Sequence, residues 1–402
     1  MSKINNETVT PDISEKRSAE PGILSGTTYW TMIFVSYVSL FFLGLLDNAR
    51  APFFPDIMHD LKLDNFKASF FFVTTSSFAF ISGRLTFFVI RRMGLNNTFR
   101  LSQFVTGAGF ASMAFAETFG VLLFSCAIFG FGFGSLNITQ NLFVMEGASL
   151  TARRRLISGL HSMYAFSSLI APLLASVCFR YQLTWRQAYL YFGISVLISV
   201  LISFVNKVEK VHIHEKKTVL PKHVKDRSWL IAAVLSLYVI GELTLTTRLP
   251  LYLREARGYT PEKASEYLSY VFLAMFIGRI AFTFFKWKRF TTHNIIVSSL
   301  VLSILFFIVG LLGHPFWLCI SVLAMSPIYA MVLEYHVEIF KEHSSMAITN
   351  SLAVNALFIV SMHLMLGALT DVIGIQYSMY LGPVFLMIST LLVMLDKKYI
   401  IR

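Results

Sequence analysis

Charge is scarce in this chain, cysteine scarcer still, and no stretch carries a catalytic signature. Only 14% of its 402 residues are Asp, Glu, Lys or Arg, against about a quarter in soluble proteins, which excludes an ordinary water-soluble domain. Its three cysteines, Cys126, Cys178 and Cys319, sit in apolar runs at unrelated spacings, so neither a disulfide framework nor a thiolate metal centre is expected. HExxH, GxSxG and Walker-type loops do not occur. Hence no enzyme, no metal, no cofactor and no direct use of ATP is expected. The first residues lack the charged, apolar and cleavage regions of a signal peptide. Polar and containing Pro11 and Pro21, residues 1–27 are expected to form a disordered tail.

What the chain has is apolar length. Hydrophobic residues make up 55% of it and the mean hydropathy is +0.65, the balance of an integral membrane protein. About 20 apolar residues cross a bilayer as a helix. Candidate spans are 29–57, 66–90, 98–117, 119–145, 157–179, 186–205, 228–252, 264–285, 293–312, 315–339, 347–370 and 376–395. The long basic segment 206–227, NKVEKVHIHEKKTVLPKHVKDR, divides six spans from six. The expected fold is therefore an all-α membrane protein with twelve transmembrane helices in two pseudo-symmetric six-helix bundles, 28–205 and 228–402. With the N-terminus placed inside, twenty lysines and arginines fall in cytosolic segments, among them Arg92, Arg153, Arg155 and Lys341, against seven outside. Both termini are then cytosolic, in the inner (cytoplasmic) membrane. The same asymmetry accounts for the net charge of +12 without nucleic acid. A monomer in the lipid bilayer is expected.

Ions within these spans point to function, because an ion in hydrocarbon must face protein or a water-filled cavity. The stretch FFLGLLDNARAPFFPDI carries Asp47, Asn48, Arg50, Pro52 and Pro55; GELTLTTRLP carries Glu242, Arg248 and Pro250. Asp47 and Glu242 are 195 residues apart, as are Pro55 and Pro250, Gly83 and Gly278, and Arg84 and Arg279. A looser echo relates Glu146 in FVMEG to Glu334 in MVLEY. Paired, proline-interrupted helices in two halves of one chain are the sequence mark of a transporter's binding site.

The stretch GRLTFFVIRRMG, with Gly83, Leu85, Arg91, Arg92 and Gly94, resembles the loop between helices 2 and 3 of the major facilitator superfamily of secondary transporters, and TWRQAYL at Trp185 and Arg186 resembles the opening of its helix 6. Phe87 stands where that loop usually has an acid. DNARAPFFPD together with GSLNITQNLFV is similar to the fucose and proton symporter family, although Ala51 and Asn137 occupy the positions of its two acids. The resemblance implies alternating access, with a cavity lined by the first, fourth, fifth, seventh, tenth and eleventh spans.

Individual residues admit a functional and a plainer role. Asp47 and Arg50 share a helix face and can simply neutralise each other. Alternatively Asp47 takes up a proton when an anionic or hydroxyl-rich solute competes for Arg50, with Glu242 as the second proton-coupling acid. Asn48 and Arg248 are expected along the path. Asn137, Gln140 and Asn141, His161 with Tyr164, and Asn355 with His363 are further solute-binding candidates, or hydrogen-bonded joints between helices. Arg84, Arg91, Glu146, Arg279 and Glu334 near the inner ends are expected to gate, closing that mouth when the other opens. Arginines of helices 2 and 8 hold an anion in the superfamily's nitrate porters, which leaves that role open for Arg84 and Arg279. The expected function is proton-coupled uptake of a small polar or anionic solute. Export of an amphipathic compound, of drug or siderophore type, and a non-transporting sensor are the alternatives. A gate tolerates the charge swap Arg84→Glu with Glu146→Arg, whereas an anion site does not, so solute uptake by the swapped variant separates these two roles.

Overall fold

The computed structural model describes residues 28–149, 151–206, 222–284 and 290–400. The expected tail over 1–27 and most of the expected linker, 207–221, lie outside the described residues. Its last residues, 222–227, open a helix.

Among the described residues the regular elements are helices, the structure that satisfies its own backbone where water is absent. In order they are α1 Trp30–Asp60, α2 Asn65–Met113, α3 Phe119–Gly147, α4 Arg153–Arg180, α5 Trp185–Ser203, α6 Lys222–Glu255, α7 Pro261–Phe284, α8 Thr292–Leu312, α9 Phe316–Met325, α10 Ile328–Phe340, α11 Ser344–Ser378 and α12 Leu381–Ile400. Among the described residues ten helical stretches are long and apolar enough to cross a membrane, and Leu381–Asp396 is a shorter apolar one. The chain is a multi-pass membrane protein.

Helix starts follow side-chain chemistry. The Asp64 carboxylate accepts from the Lys67 N–H at 2.7 Å, which holds that carboxyl below its usual range. Thr184 and Gln187 form a reciprocal capping box, and Thr291 caps α8; each satisfies a donor the helix leaves orphaned. The loop expected between the second and third spans is a bend inside α2 at Gly94, whose φ of 79° and ψ of 164° suit glycine alone. The expected span 315–339 is interrupted at Ser326 and Pro327, between α9 and α10, where proline offers no N–H to continue the ladder.

Small residues set the closest helix contacts. A Cβ on Gly130 or Gly134 of α3 would lie 2.4 Å from the Thr75 carbonyl oxygen or 2.1 Å from that of Ala79, both on α2. α1 packs on α4, α2 on α5, and α6 on α11 and α12. Contacts of α1 with α6, α2 with α11 and α4 with α7 join the earlier part of the chain to the later, and these helices enclose the site. Because the Gly134 contact is with backbone, Gly134→Ala is expected to cost about 1–3 kcal/mol, read as a lower unfolding temperature in detergent; an unchanged temperature would show that α2 and α3 can separate freely.

Candidate functional site

α1 is apolar around nearly its whole circumference, and the ionic pair in its middle is enclosed by protein. Asp47 is ion-paired with Arg50, and its other carboxylate oxygen accepts from the Tyr164 hydroxyl of α4 at 2.5 Å. Arg50 Nε donates to the Asp47 carbonyl at 3.2 Å. The guanidinium lies 5.3 Å from the ring centre of Phe72 and 5.4 Å from that of Phe129, within cation–π range. Its Nη1 is buried without a hydrogen-bond partner. Asn48 donates to the Gly44 carbonyl at 2.8 Å and to Ser168 Oγ at 2.9 Å. A Cβ on Gly44 would overlap Ser167, so this glycine is what lets α1 and α4 approach closely enough for the Tyr164 bond.

Across the space from this pair stands Glu242 of α6, which accepts from the Tyr238 hydroxyl one turn earlier. Asp47, Asn48, Arg50, Tyr164, Glu242, Arg279 and His363 all line one cavity of about 290 Å³. The wall comes from α1, α2, α3, α4, α6, α7 and α11. The expected lining from 315–339 is replaced by residues of α2 and α7, among them Phe72, Thr75, Ser76, Phe272 and Phe276.

Phe72 is the meeting point of the basic groups. His363 stacks on its ring, centroids 4.9 Å apart and planes 13° from parallel, with Nδ1 buried and unpartnered. Arg248, 1% exposed, lies behind this wall with its guanidinium 4.5 Å from the Phe54 ring and 5.5 Å from the Phe72 ring. One of its nitrogens donates to Ser69 Oγ at 2.8 Å, while Nε and Nη1 have no partner.

Other candidates stand apart from this cavity. Gln140 is buried and donates to Ser39 Oγ at 2.7 Å, and Ser36 donates to its carbonyl, joining α3 to α1. Asn141 donates to the Asn137 carbonyl within α3. His161 is exposed, and Asn355 is half-buried with an unpartnered oxygen. Among the expected gating residues, Arg279 lines the cavity beside Glu242. Arg84 is exposed with its guanidinium over Phe80, Arg91 and Glu334 are exposed, and Glu146 is half-buried near Arg153. Tyr238 and Phe72 were not among the candidates. Tyr238, four residues before Glu242, carried a helical-spacing signal, whereas Phe72 is one of 39 phenylalanines.

One end of the cavity is bridged by polar contacts between the two parts of the chain. Arg254 makes a two-point ion pair with Asp56 at 2.7 and 2.9 Å. The Asp371 carboxylate accepts from the backbone N–H groups of Asn65 and Phe66, at 2.9 and 2.8 Å, and Glu266 meets Ser176 and Arg180. Arg279 in the wall and Arg84, Asn137 and His161, further along their helices from these bridges, are exposed.

The description "Major Facilitator Superfamily" fits residues 36–348. The chain belongs to this superfamily. The proteins of known structure that share its fold are transporters, not enzymes. A curated relative, the efflux pump bfoC of Aspergillus brasiliensis, is 28% identical over 199 residues, 47% of this chain; the match spans only about a third (34%) of that protein's length. The superfamily fold is shared with a bacterial homolog to the human lysosomal transporter Spinster in its inward-facing, unoccupied conformation, with TM-score 0.76, 11% identity, and 93% and 98% of the two chains covered. It is also shared with the D-xylose–proton symporter, with TM-score 0.70, 12% identity, and 91% and 97% covered.

A cysteine placed at Ser76 in the wall is expected to react with an impermeant maleimide from the open end. Asp371→Asn removes an anionic helix cap worth about 1 kcal/mol and is expected to raise labelling from the closed end about fivefold; an unchanged rate would show that Asp371 does not hold that end shut.

Proposed function

We propose that this chain is a proton-coupled secondary transporter that takes up a small polar or anionic solute by alternating access. Its twelve crossings form two six-helix bundles, 28–205 and 228–402, that rock about the central cavity. The observation carrying this proposal is the pairing of Asp47 and Glu242 in one cavity, each carboxylate held by a tyrosine hydroxyl. Carboxylates on two helices at matching places in the halves are proton carriers that both bundles contact.

The coupling follows from the sharing of Arg50. In the empty cavity its guanidinium neutralises Asp47. A solute that competes for Arg50 leaves the carboxylate without its counter-ion, and Asp47 takes up a proton in place of it. With solute and proton both bound, the cavity carries no new net charge for an anionic cargo, and the bundles can close over it. The closed end carries Lys62, Lys67, Arg186 and Arg254, the side poor in basic residues, so the cavity faces the cytosol in this conformation.

Export is a second reading, favoured by the efflux-pump relative. It uses the same cavity with the proton moving against the cargo. A thermal-shift screen over metabolite classes and pH identifies a ligand of the native state, which then serves in proteoliposomes. Asp47→Asn is expected to retain exchange of that ligand and lose its accumulation under a pH gradient. Undiminished accumulation would remove Asp47 from the coupling step.

A further inference from the structure

Arg50, Arg248 and His363 converge on the Phe72 ring, and each has a buried nitrogen with nothing to bond. We propose that the cargo is an organic monocarboxylate with a compact apolar body, its carboxylate bonded to Arg50 Nη1 and balanced by the charge of Arg248. This deepens the proposed function and rests on it.

The first support is the charge of the site. Asp47 and Arg50 cancel, and Glu242 and Arg279 are opposite charges in the same wall. Arg248 adds one more cation, fully buried; among the described residues no carboxylate lies within ion-pair distance of it, and Asp371 attracts it only from further away. An uncompensated cation beside the cavity favours an anionic cargo over a neutral solute or a cation. Arg248 need not touch the ligand, because attraction across several ångströms is strong in a low-dielectric interior. A guanidinium fork also matches the planar carboxylate in shape.

The second support is the rest of the wall. Phe133, Phe272, Met275, Phe276 and Ile359 offer only apolar surface. The hydroxyls of Thr75, Ser168, Thr246 and Thr247 already donate to carbonyls of their own helices. A hydroxyl-rich solute would find few free donors there, whereas an alkyl or aryl body fits. A cavity of about 290 Å³ suits a small ligand.

The test is a thermal-shift and equilibrium-binding series on the purified full chain with 3-phenylpropanoate, hexanoate, 3-phenylpropanamide, 3-phenylpropylamine and inorganic phosphate. The two carboxylates are expected to bind, and the amide, amine and phosphate to bind at least about tenfold more weakly. Arg248→Gln is expected to weaken carboxylate binding about tenfold, and Arg248→Lys, which keeps the charge, by much less. Equal binding of the amide or amine, tighter binding of phosphate, no carboxylate binding, or unchanged binding by Arg248→Gln would each overturn the proposal. Should that variant not fold, the wild-type series decides alone. Proteoliposomes separate this inference from the function beneath it. Carboxylate binding without gradient-driven accumulation defeats the transport proposal and leaves the site, whereas accumulation of a different solute without carboxylate binding does the reverse.

Discussion

The ion pair between Asp47 and Arg50 is the constraint around which this molecule is arranged. An ion in hydrocarbon costs several kcal/mol, so a helix carrying two must be surrounded by protein at that level. Tyr164 comes from α4, Phe72 from α2 and Phe129 from α3, so one pair recruits three neighbouring helices. The approach of α4 depends on Gly44, and that of α3 to α2 on Gly130 and Gly134. Small residues thus serve the ions indirectly, by allowing backbones close enough for side chains to reach them.

A half-buried cavity and a bridged end follow from the same economy of charge. Arg254 with Asp56, and Asp371 with the start of α2, place their polar groups where solvent is near. Deeper in, Arg248 and His363 retain unpartnered nitrogens against an aromatic ring. The contrast divides groups that hold the halves together from groups that await something else.

Much of this was legible in the sequence, and what was not has a common cause. Hydropathy locates the apolar stretches, and the 195-residue echo relates Asp47 to Glu242, which line one cavity. Helix phase was harder to read. A soluble helix has a polar stripe that marks its outer face, but α3 is apolar on its lipid side and inner side alike. Asn137, Gln140 and Asn141 were therefore grouped by spacing, yet Gln140 turns towards α1 and all three miss the cavity. Arg279 and Arg84 are related by the same echo, yet only Arg279 lines the cavity. The aromatic contribution gave no signal, because one phenylalanine among 39 has nothing local to distinguish it.

The use of main-chain amides at the bridged end has a mechanical consequence. Asp371 grips the positive end of the α2 dipole, not a basic side chain. When such a grip releases, both parties are rehydrated at once and no lone cation is dragged past lipid. A clasp of this kind can part and re-form through many cycles with little friction, the behaviour wanted at a door.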